Sequence, residues 1–595
     1  MTVPRSEYPR PLLVRPAWRC LNGIWRFVED HDEIGLRDGW FATGLPESCE
    51  TIKVPFAVES EESTIHHIKP ASVVWYEREF DVPNDWHNRV CLRFGACDHW
   101  SRVFVNGQEV GQHRGGYSPF CFDIEHLLQE GTNNLVVRVE DSLSWTQPRG
   151  KQAGTTRWPI DYDSVTGIWQ TVWIEHLPSV SIESTHAIYS LETGELNYAA
   201  FFSKQVEGEL TVEISRNGVL IADQQVITGM RSEARVSFQL AEAALWSPES
   251  PTLYDVKLIL KDTKTDQIDE VVSYVGLRQI EVREGAIFLN GEKIFLRGVL
   301  DQGYFPGGWY TAVTDEEIRR DVELTLEMGF NCARKHQKAE DPRYLYWADR
   351  LGLLVWSEMP SGRIFSTELV QSLTLEWTEL VIRDRAHPCV MTWVPFNESW
   401  GVWHQSSRPE QRAFVDSIVA LTRSLDTSRP VVGNDGWEFS SGDLWTLHLY
   451  FDGKDISEKL NELIKNPRLS VTQEHALGER AGALDGAEVT GLPILLTECG
   501  GVGYGRFSEN DFSYGDLPAS EEALETAIRN IAQMIHTAPE LQGFFWTQLT
   551  DIQQEVNGLL YFDRQPKLPM KILRDIVGAI GMNKRNPAND QGTPD

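Results

Sequence analysis

Downstream of residue 287 the chain gathers its apolar residues into eight short runs, at 294–299, 331–336, 353–359, 390–397, 430–434, 445–450, 494–498 and 543–548, with helically spaced stretches between them. A short run that is apolar on both faces suits a strand covered on both sides, as in a parallel sheet flanked by helices. Eight such strands alternating with helices close into a (β/α)8 TIM barrel. Helix starts are legible between the runs. Thr314 is placed to cap a helix, and Glu317 follows three residues later as a capping box requires. The longer polar connection at 451–490 reads as a loop over one end of the barrel.

Upstream the pattern has period two. From Leu21 to Leu177 short alternating segments such as Arg102-Val-Phe-Val-Asn-Gly107 and Leu135-Val-Val-Arg-Val139 are separated by Gly, Asn and Asp, the signature of a β-sandwich. A second all-β stretch of about 100 residues fits one immunoglobulin-like sandwich. The expected organisation is a sandwich over 1–177, an immunoglobulin-like sandwich over 178–282, the barrel over 283–582 and a disordered polar tail over 583–595.

Composition narrows the function. The 595 residues carry 55 basic and 87 acidic side chains, a net charge of −32, which argues against nucleic acid or an anionic membrane as a partner. No apolar run reaches the ~20 residues of a membrane span, and no export signal is legible, so a cytoplasmic location is expected. The eight cysteines lack Cys-x-x-Cys spacing, and no histidine or carboxylate cluster has the spacing of metal ligands. Neither metal nor cofactor is expected, and the sequence leaves self-association open.

The chemistry concentrates where two barrel strands end. Val390-Met-Thr-Trp-Val-Pro-Phe-Asn-Glu-Ser-Trp-Gly401 closes on Asn397 and Glu398, and Pro493-Ile-Leu-Leu-Thr-Glu-Cys-Gly-Gly501 closes on Glu498. Barrels of this kind hold catalytic residues at the C-terminal ends of their strands, and two carboxylates facing one sugar are the minimal apparatus of glycoside hydrolysis. Apolar neighbours (Trp393, Phe396, Trp400) and a second carboxylate would raise the pKa of Glu398 and suit it to donate a proton. Glu498 must stay ionised to attack, and Arg334 at the end of 331–336 either holds its charge or braces a loop. Tyr450 is placed to donate its hydroxyl to Glu498, and Trp546 either floors the sugar site or packs at the rim. His336, His404 and His448 reach toward the pocket or serve structural roles.

Taken together, these motifs resemble family-2 glycoside hydrolases, the group of β-galactosidases, β-glucuronidases and β-mannosidases. Leu21-Asn-Gly-Ile-Trp-Arg-Phe27, Val54-Pro-Phe-Ala-Val-Glu59 and Gly167-Ile-Trp-Gln-Thr-Val172 are similar to its N-terminal sugar-binding-like jelly-roll sandwich. Asn290-Gly-Glu-Lys-Ile-Phe-Leu-Arg-Gly-Val299 is similar to its entry into the barrel, and Tyr346-Trp-Ala-Asp-Arg-Leu-Gly352 to its second barrel helix. The resemblance implies that Glu398 is the acid/base, Asn397 a ligand of the sugar 2-hydroxyl and Glu498 the nucleophile of a retaining double displacement. It also implies that Asp161 reaches from the sandwich to bind glycone hydroxyls. The family's glucuronidases carry Asn-x-Lys shortly before a final Asp-Arg-x-Pro-Lys, whereas this chain has Glu555-Val-Asn-Gly558 before Asp563-Arg-Gln-Pro-Lys567, which disfavours a glucuronide. Its galactosidases place His three residues after the nucleophile, where Gly501 stands here, and Gly298-Val-Leu-Asp-Gln302 lacks the Asn and His common after the first barrel strand. The expected activity is exo-acting retaining β-glycosidase, with galactose as the leading glycone. Mannose, glucose, glucuronic acid and arabinose are the alternatives, and a non-catalytic carbohydrate-binding protein is the rival class.

Overall fold

The computed structural model describes residues 3–154, 157–450, 456–471, 479–505, 511–514 and 517–581; the expected tail at 583–595 lies outside them. The N-terminal region is a sandwich of a six-stranded sheet, ordered Glu50–Val54, Gly23–Glu29, Val73–Asp81, Thr132–Glu140, Trp100–Val105 and Gln108–Arg114, and a four-stranded sheet. Trp25, Phe27, Val74, Tyr76, Leu92 and Val137 fill the space between them. The next region pairs a three-stranded with a four-stranded antiparallel sheet. Its strand Gly208–Arg216 alternates buried and half-buried residues, the period expected of a strand with one covered face.

The barrel sheet is parallel throughout. Its strands run in the order Val390–Val394, Leu354–Glu358, Cys332–Lys335, Leu296–Asp301, Leu541–Thr547, Ile494–Gly500 and Trp445–His448, and every residue of Val390–Val394 is buried. The run at 430–434 does not become a regular strand. It meets the edge strand Val390–Val394 through the parallel bridge of Trp393 with Val431, and just past the run Asn397 bridges Asp435. Pro430 supplies no N–H, and the backbone veers to meet Gly442 through an antiparallel bridge at Val432.

Side-chain caps start the barrel helices where the sequence predicts. Thr314 accepts from the Glu317 backbone N–H, Ser366 from Leu369 and Ser520 from Ala523. Glu317 in turn accepts from the Val313 N–H at 2.9 Å, one residue upstream of the ideal capping box. The connection expected as a loop at 451–490 carries the helix Ile456–Lys465, with Leu460 and Leu463 buried. Its charged residues mark the outer face of a barrel helix; residues 451–455 and 472–478 lie outside the described chain. Among the described residues no helix is long and apolar enough to cross a membrane.

The three regions are locked by buried polar contacts. Tyr274 of the second sandwich donates its hydroxyl to Asp349 at 2.7 Å, Trp246 donates to the Asp349 carbonyl at 2.7 Å, and Arg278 donates to the Pro388 carbonyl at 2.9 Å. From the first sandwich, the Tyr117 N–H donates to Glu376 at 2.6 Å.

Candidate active site

Every strand that supplies the site ends at the same rim of the barrel. Glu398 follows Val390–Val394 on a backbone with φ of 50°, and Ser399 beside it has φ of 57°. This left-handed conformation is costly for residues with a side chain. It is fixed by hydrogen bonds from the Glu398 N–H to the Asp435 carbonyl and from the Ser399 N–H to Asn434, both at 2.9 Å.

Glu498 projects from the adjacent arc of the barrel. One carboxylate oxygen of Glu398, one of Glu498 and one ring nitrogen of His448 lie within 4.8 Å of one another. The His448 Nδ1 is 2.7 Å from Glu398 and 3.5 Å from Glu498, and its Nε2 is 2.9 Å from Asp435. Burial opposes the charge on this ring, yet Glu498, Asp435 and Glu398 outweigh it and lift its pKa to about 10.

Arg334 is wholly buried among acceptors from several strands. Its Nε donates to Glu358 at 2.7 Å, its Nη2 to the Asn397 Oδ1 at 2.6 Å, and its Nη1 lies 3.2 Å from Glu498 and 2.6 Å from Asp435. Tyr450 donates its hydroxyl to Glu498 at 2.7 Å.

The two acids are thereby driven apart. Burial, followed by the charge of Glu498, raises the pKa of Glu398 against the pull of His448 and Lys151. Burial also works against the charge of Glu498, but His448, Arg334, His336 and Tyr450 overcome it and hold that pKa below its ordinary value. His336 is pushed well below the usual histidine range by burial and then by Lys151 and Arg334. Its Nε2 lies 4.0 Å from Glu498. A carboxyl whose pKa is raised beside one whose pKa is lowered is the division of labour that acid-assisted displacement at a sugar needs.

Two expectations are corrected. Trp546 does not floor the pocket: its ring lies outside the sheet with Leu524, Ile528 and Leu573 of the covering helices, against Gly500, where a Cβ would come within 2.5 Å of it. Strand alternation decides this, because Thr547 faces inward, 3.1 Å from the Tyr450 hydroxyl, and its neighbour must face out. Trp393 and Phe396 likewise turn away from Glu398, packing on Trp377 and Phe414. Of the histidines named from the sequence, His404 is exposed and its backbone bonds Gln411.

Asp161 does cross from the sandwich to the barrel, where it meets a cation. Its Oδ1 accepts from Arg363 at 2.6 Å and its Oδ2 from the Trp158 N–H at 3.1 Å. The guanidinium lies over the Trp400 ring at 3.6 Å and the Trp158 ring at 4.5 Å. Sequence reasoning missed Glu358, Asp435, Arg363 and Lys151. The first two had a signal, a carboxylate closing an apolar run as Glu398 does. The others come together only through the fold.

Three family models match the chain in succession: the sugar binding domain of glycosyl hydrolases family 2 over 18–178, a second family-2 domain over 178–278 and the family-2 TIM barrel domain over 280–484. The chain belongs to glycosyl hydrolase family 2. Family-2 relatives include a beta-galactosidase of Thermoanaerobacter pseudethanolicus, 29% identical over 69% of this chain and 55% of that protein. A beta-glucuronidase of Paenibacillus borealis is 26% identical over 96% and 99%. A protein of Formosa agariphila is 26% identical over 89% of this chain, which spans 63% of its length. The family-2 fold is shared with a crystal structure of Ruminococcus gnavus beta-glucuronidase, at a TM-score of 0.77, 22% identity and coverage of 97% and 100%.

Proposed function

We propose that this family-2 protein is an exo-acting β-glycosidase working by retaining double displacement, with Glu498 as nucleophile and Glu398 as acid/base. The observation that carries the reading is the separation of the two acids. Retaining enzymes hold their carboxyls ~5–5.5 Å apart, so that one can bond to the anomeric carbon, while inverting enzymes leave ~6.5–9.5 Å for a water. Oxygens within 4.8 Å favour the first.

Glu398 protonates the departing glycosidic oxygen as Glu498 attacks C1, and then removes a proton from the water that releases the sugar. Asn397 suits the 2-hydroxyl, because its Oδ1 is held by Arg334 while its Nδ2 is a buried donor with no partner among the described residues. Arg334 and His448 hold the nucleophile's charge, and Tyr450 supplies a hydrogen bond to it.

The leading glycone is galactose, in keeping with the relatives named beta-galactosidase. A second reading, a β-glucuronide, is favoured by the relatives named beta-glucuronidase. Assay of the purified protein on 4-nitrophenyl β-galactoside, β-glucoside, β-mannoside, β-glucuronide and α-L-arabinopyranoside, with the product anomer followed by NMR, tests both. Release of the inverted anomer, or no release from any of them, sinks the mechanism.

A further inference from the structure

Tyr450 donates its hydroxyl to the Glu498 Oε2 at 2.7 Å and lies 3.1 Å from the Thr547 Oγ1, so a small swing of its ring carries the donor away from the nucleophile. The residue stands two positions past the end of the strand Trp445–His448. A side chain beyond a regular strand depends on its packing for its direction.

Tyr514 supplies that packing. Its ring stacks on Tyr450 with centroids 3.9 Å apart and planes 5° from parallel, and Phe512 meets its edge at 4.9 Å and 77°. Contact between aromatic rings stabilises beyond the area it buries, and here it also fixes the tilt of Tyr450. Gly501 makes the room. It lies three residues after Glu498 with φ of 67°, and a Cβ there would come within 2.8 Å of the Tyr514 Cβ and 3.2 Å of the Tyr450 ring. A side chain at 501 would therefore push both rings from their places.

The segment that carries Tyr514 is anchored on two sides of the rim. The Tyr514 N–H donates to the Gly501 carbonyl at 3.2 Å, the Phe512 N–H to the Gln554 carbonyl at 2.6 Å and the Val556 N–H to the Phe512 carbonyl at 3.0 Å. Phe512 forms a parallel bridge with Glu555, whose carboxylate lies 3.7 Å from the Lys151 ammonium of the first sandwich.

We propose that Tyr514 is a positioning residue for the nucleophile: its ring, seated in the space that Gly501 leaves, holds the Tyr450 hydroxyl on Glu498. The proposal rests on the β-glycosidase reading and deepens it. A nucleophile held by an aligned donor keeps the geometry that attack at C1 requires, and a misplacement of about 1 Å costs on the order of a hundredfold in rate.

The test measures kcat and KM on the panel glycoside that the wild type turns over fastest. Tyr514→Ala removes the ring and should lower kcat ten- to hundredfold, with KM within threefold of wild type and the melting temperature checked alongside. Tyr514→Phe keeps the ring and should recover most of that loss. Tyr514→Leu fills the space without a flat face and should behave as Tyr514→Ala does, which keeps the test open if the alanine variant does not fold. The deciding comparison is a double-mutant cycle with Tyr450→Phe, which lacks the hydroxyl to be positioned. In that background Tyr514→Ala should cost less than twofold more. Equal losses in both backgrounds, or a Tyr514→Ala enzyme within twofold of wild type, overturns the proposal. No turnover of any panel glycoside by the wild type removes the β-glycosidase reading and this proposal with it, whereas an active wild type with additive variants removes the proposal alone.

Discussion

At the scale of single residues, the site opposes charges so that two chemically identical acids behave differently. Glu498→Ala should abolish hydrolysis, and azide should restore release of the leaving group and give a glycosyl azide of inverted configuration, because a small anion fits where the nucleophilic carboxylate was. Rescue with retained configuration would assign Glu498 the acid/base role instead. The pKa directions set the pH profile: activity falls on the alkaline side as Glu398, raised above the ordinary ~4.3 of a glutamate, loses its proton, and on the acid side as Glu498, held below that value, gains one. In Glu398→Gln the alkaline limb of kcat should disappear for an aryl glycoside whose leaving group needs no proton. Stability has its own pH signature at His448. Its folded pKa of about 10 lies above the ~6.5 of the unfolded ring, so the stabilisation is fully present below ~6.5 and is lost as pH rises through about 10. The gap in urea midpoint between wild type and His448→Ala should therefore be wider at pH 6 than at pH 10; equal gaps would mean that the ring is not charged.

At the scale of elements, barrel strands deliver side chains to the rim and one sandwich loop meets them there. Asp161 and Arg363 make one of these contacts, at 2.6 Å with both residues 1–2% exposed. Asp161→Ala strands a buried guanidinium and should destabilise the fold by ~3–5 kcal/mol, read from chemical denaturation. Asp161→Asn keeps a hydrogen bond and should fold, with kcat/KM on an aryl glycoside lowered by one to three decades, roughly 1.4–4 kcal/mol. Asp163→Ala, two residues along, is the control. Full activity in Asp161→Asn would reduce the loop to a scaffold. The sequence made the strands legible because continuous apolar runs leave few alternatives, and their polar final residues pointed to Glu398 and Glu498. It could not orient Trp546, since a run that is apolar on both faces does not say which face looks inward. Nor could it pair Lys151 with Glu555, because nothing local to either residue refers to the other. The run at 430–434 had the composition of a strand, and only the antiparallel bridge between Val432 and Gly442 reveals what competes for its backbone.

At the scale of the whole molecule, one buried carboxylate gathers several of the contacts at the junction of the second sandwich with the barrel. Asp349 accepts from Tyr274 at 2.7 Å, from the Cys389 N–H at 2.8 Å and from His387 at 2.6 Å. Asp349→Ala should cost ~3–5 kcal/mol and, in calorimetry, lower the melting of both regions together; a shift confined to the barrel would show that the interface transmits nothing. The junction of the first sandwich with the barrel has a consequence of another kind. Lys151 and Asp161 are encoded some two hundred or more codons from Arg363 and Glu555, so a crossover between related genes that falls at the domain boundary would separate each residue from its counterpart. The offspring could keep every fold intact and still inherit a pocket assembled from mismatched halves. Lineages of this architecture would then change substrate by paired substitutions on either side of the seam, and a chimera with a foreign sandwich should regain activity only when its partners at 363 and 555 are exchanged with it.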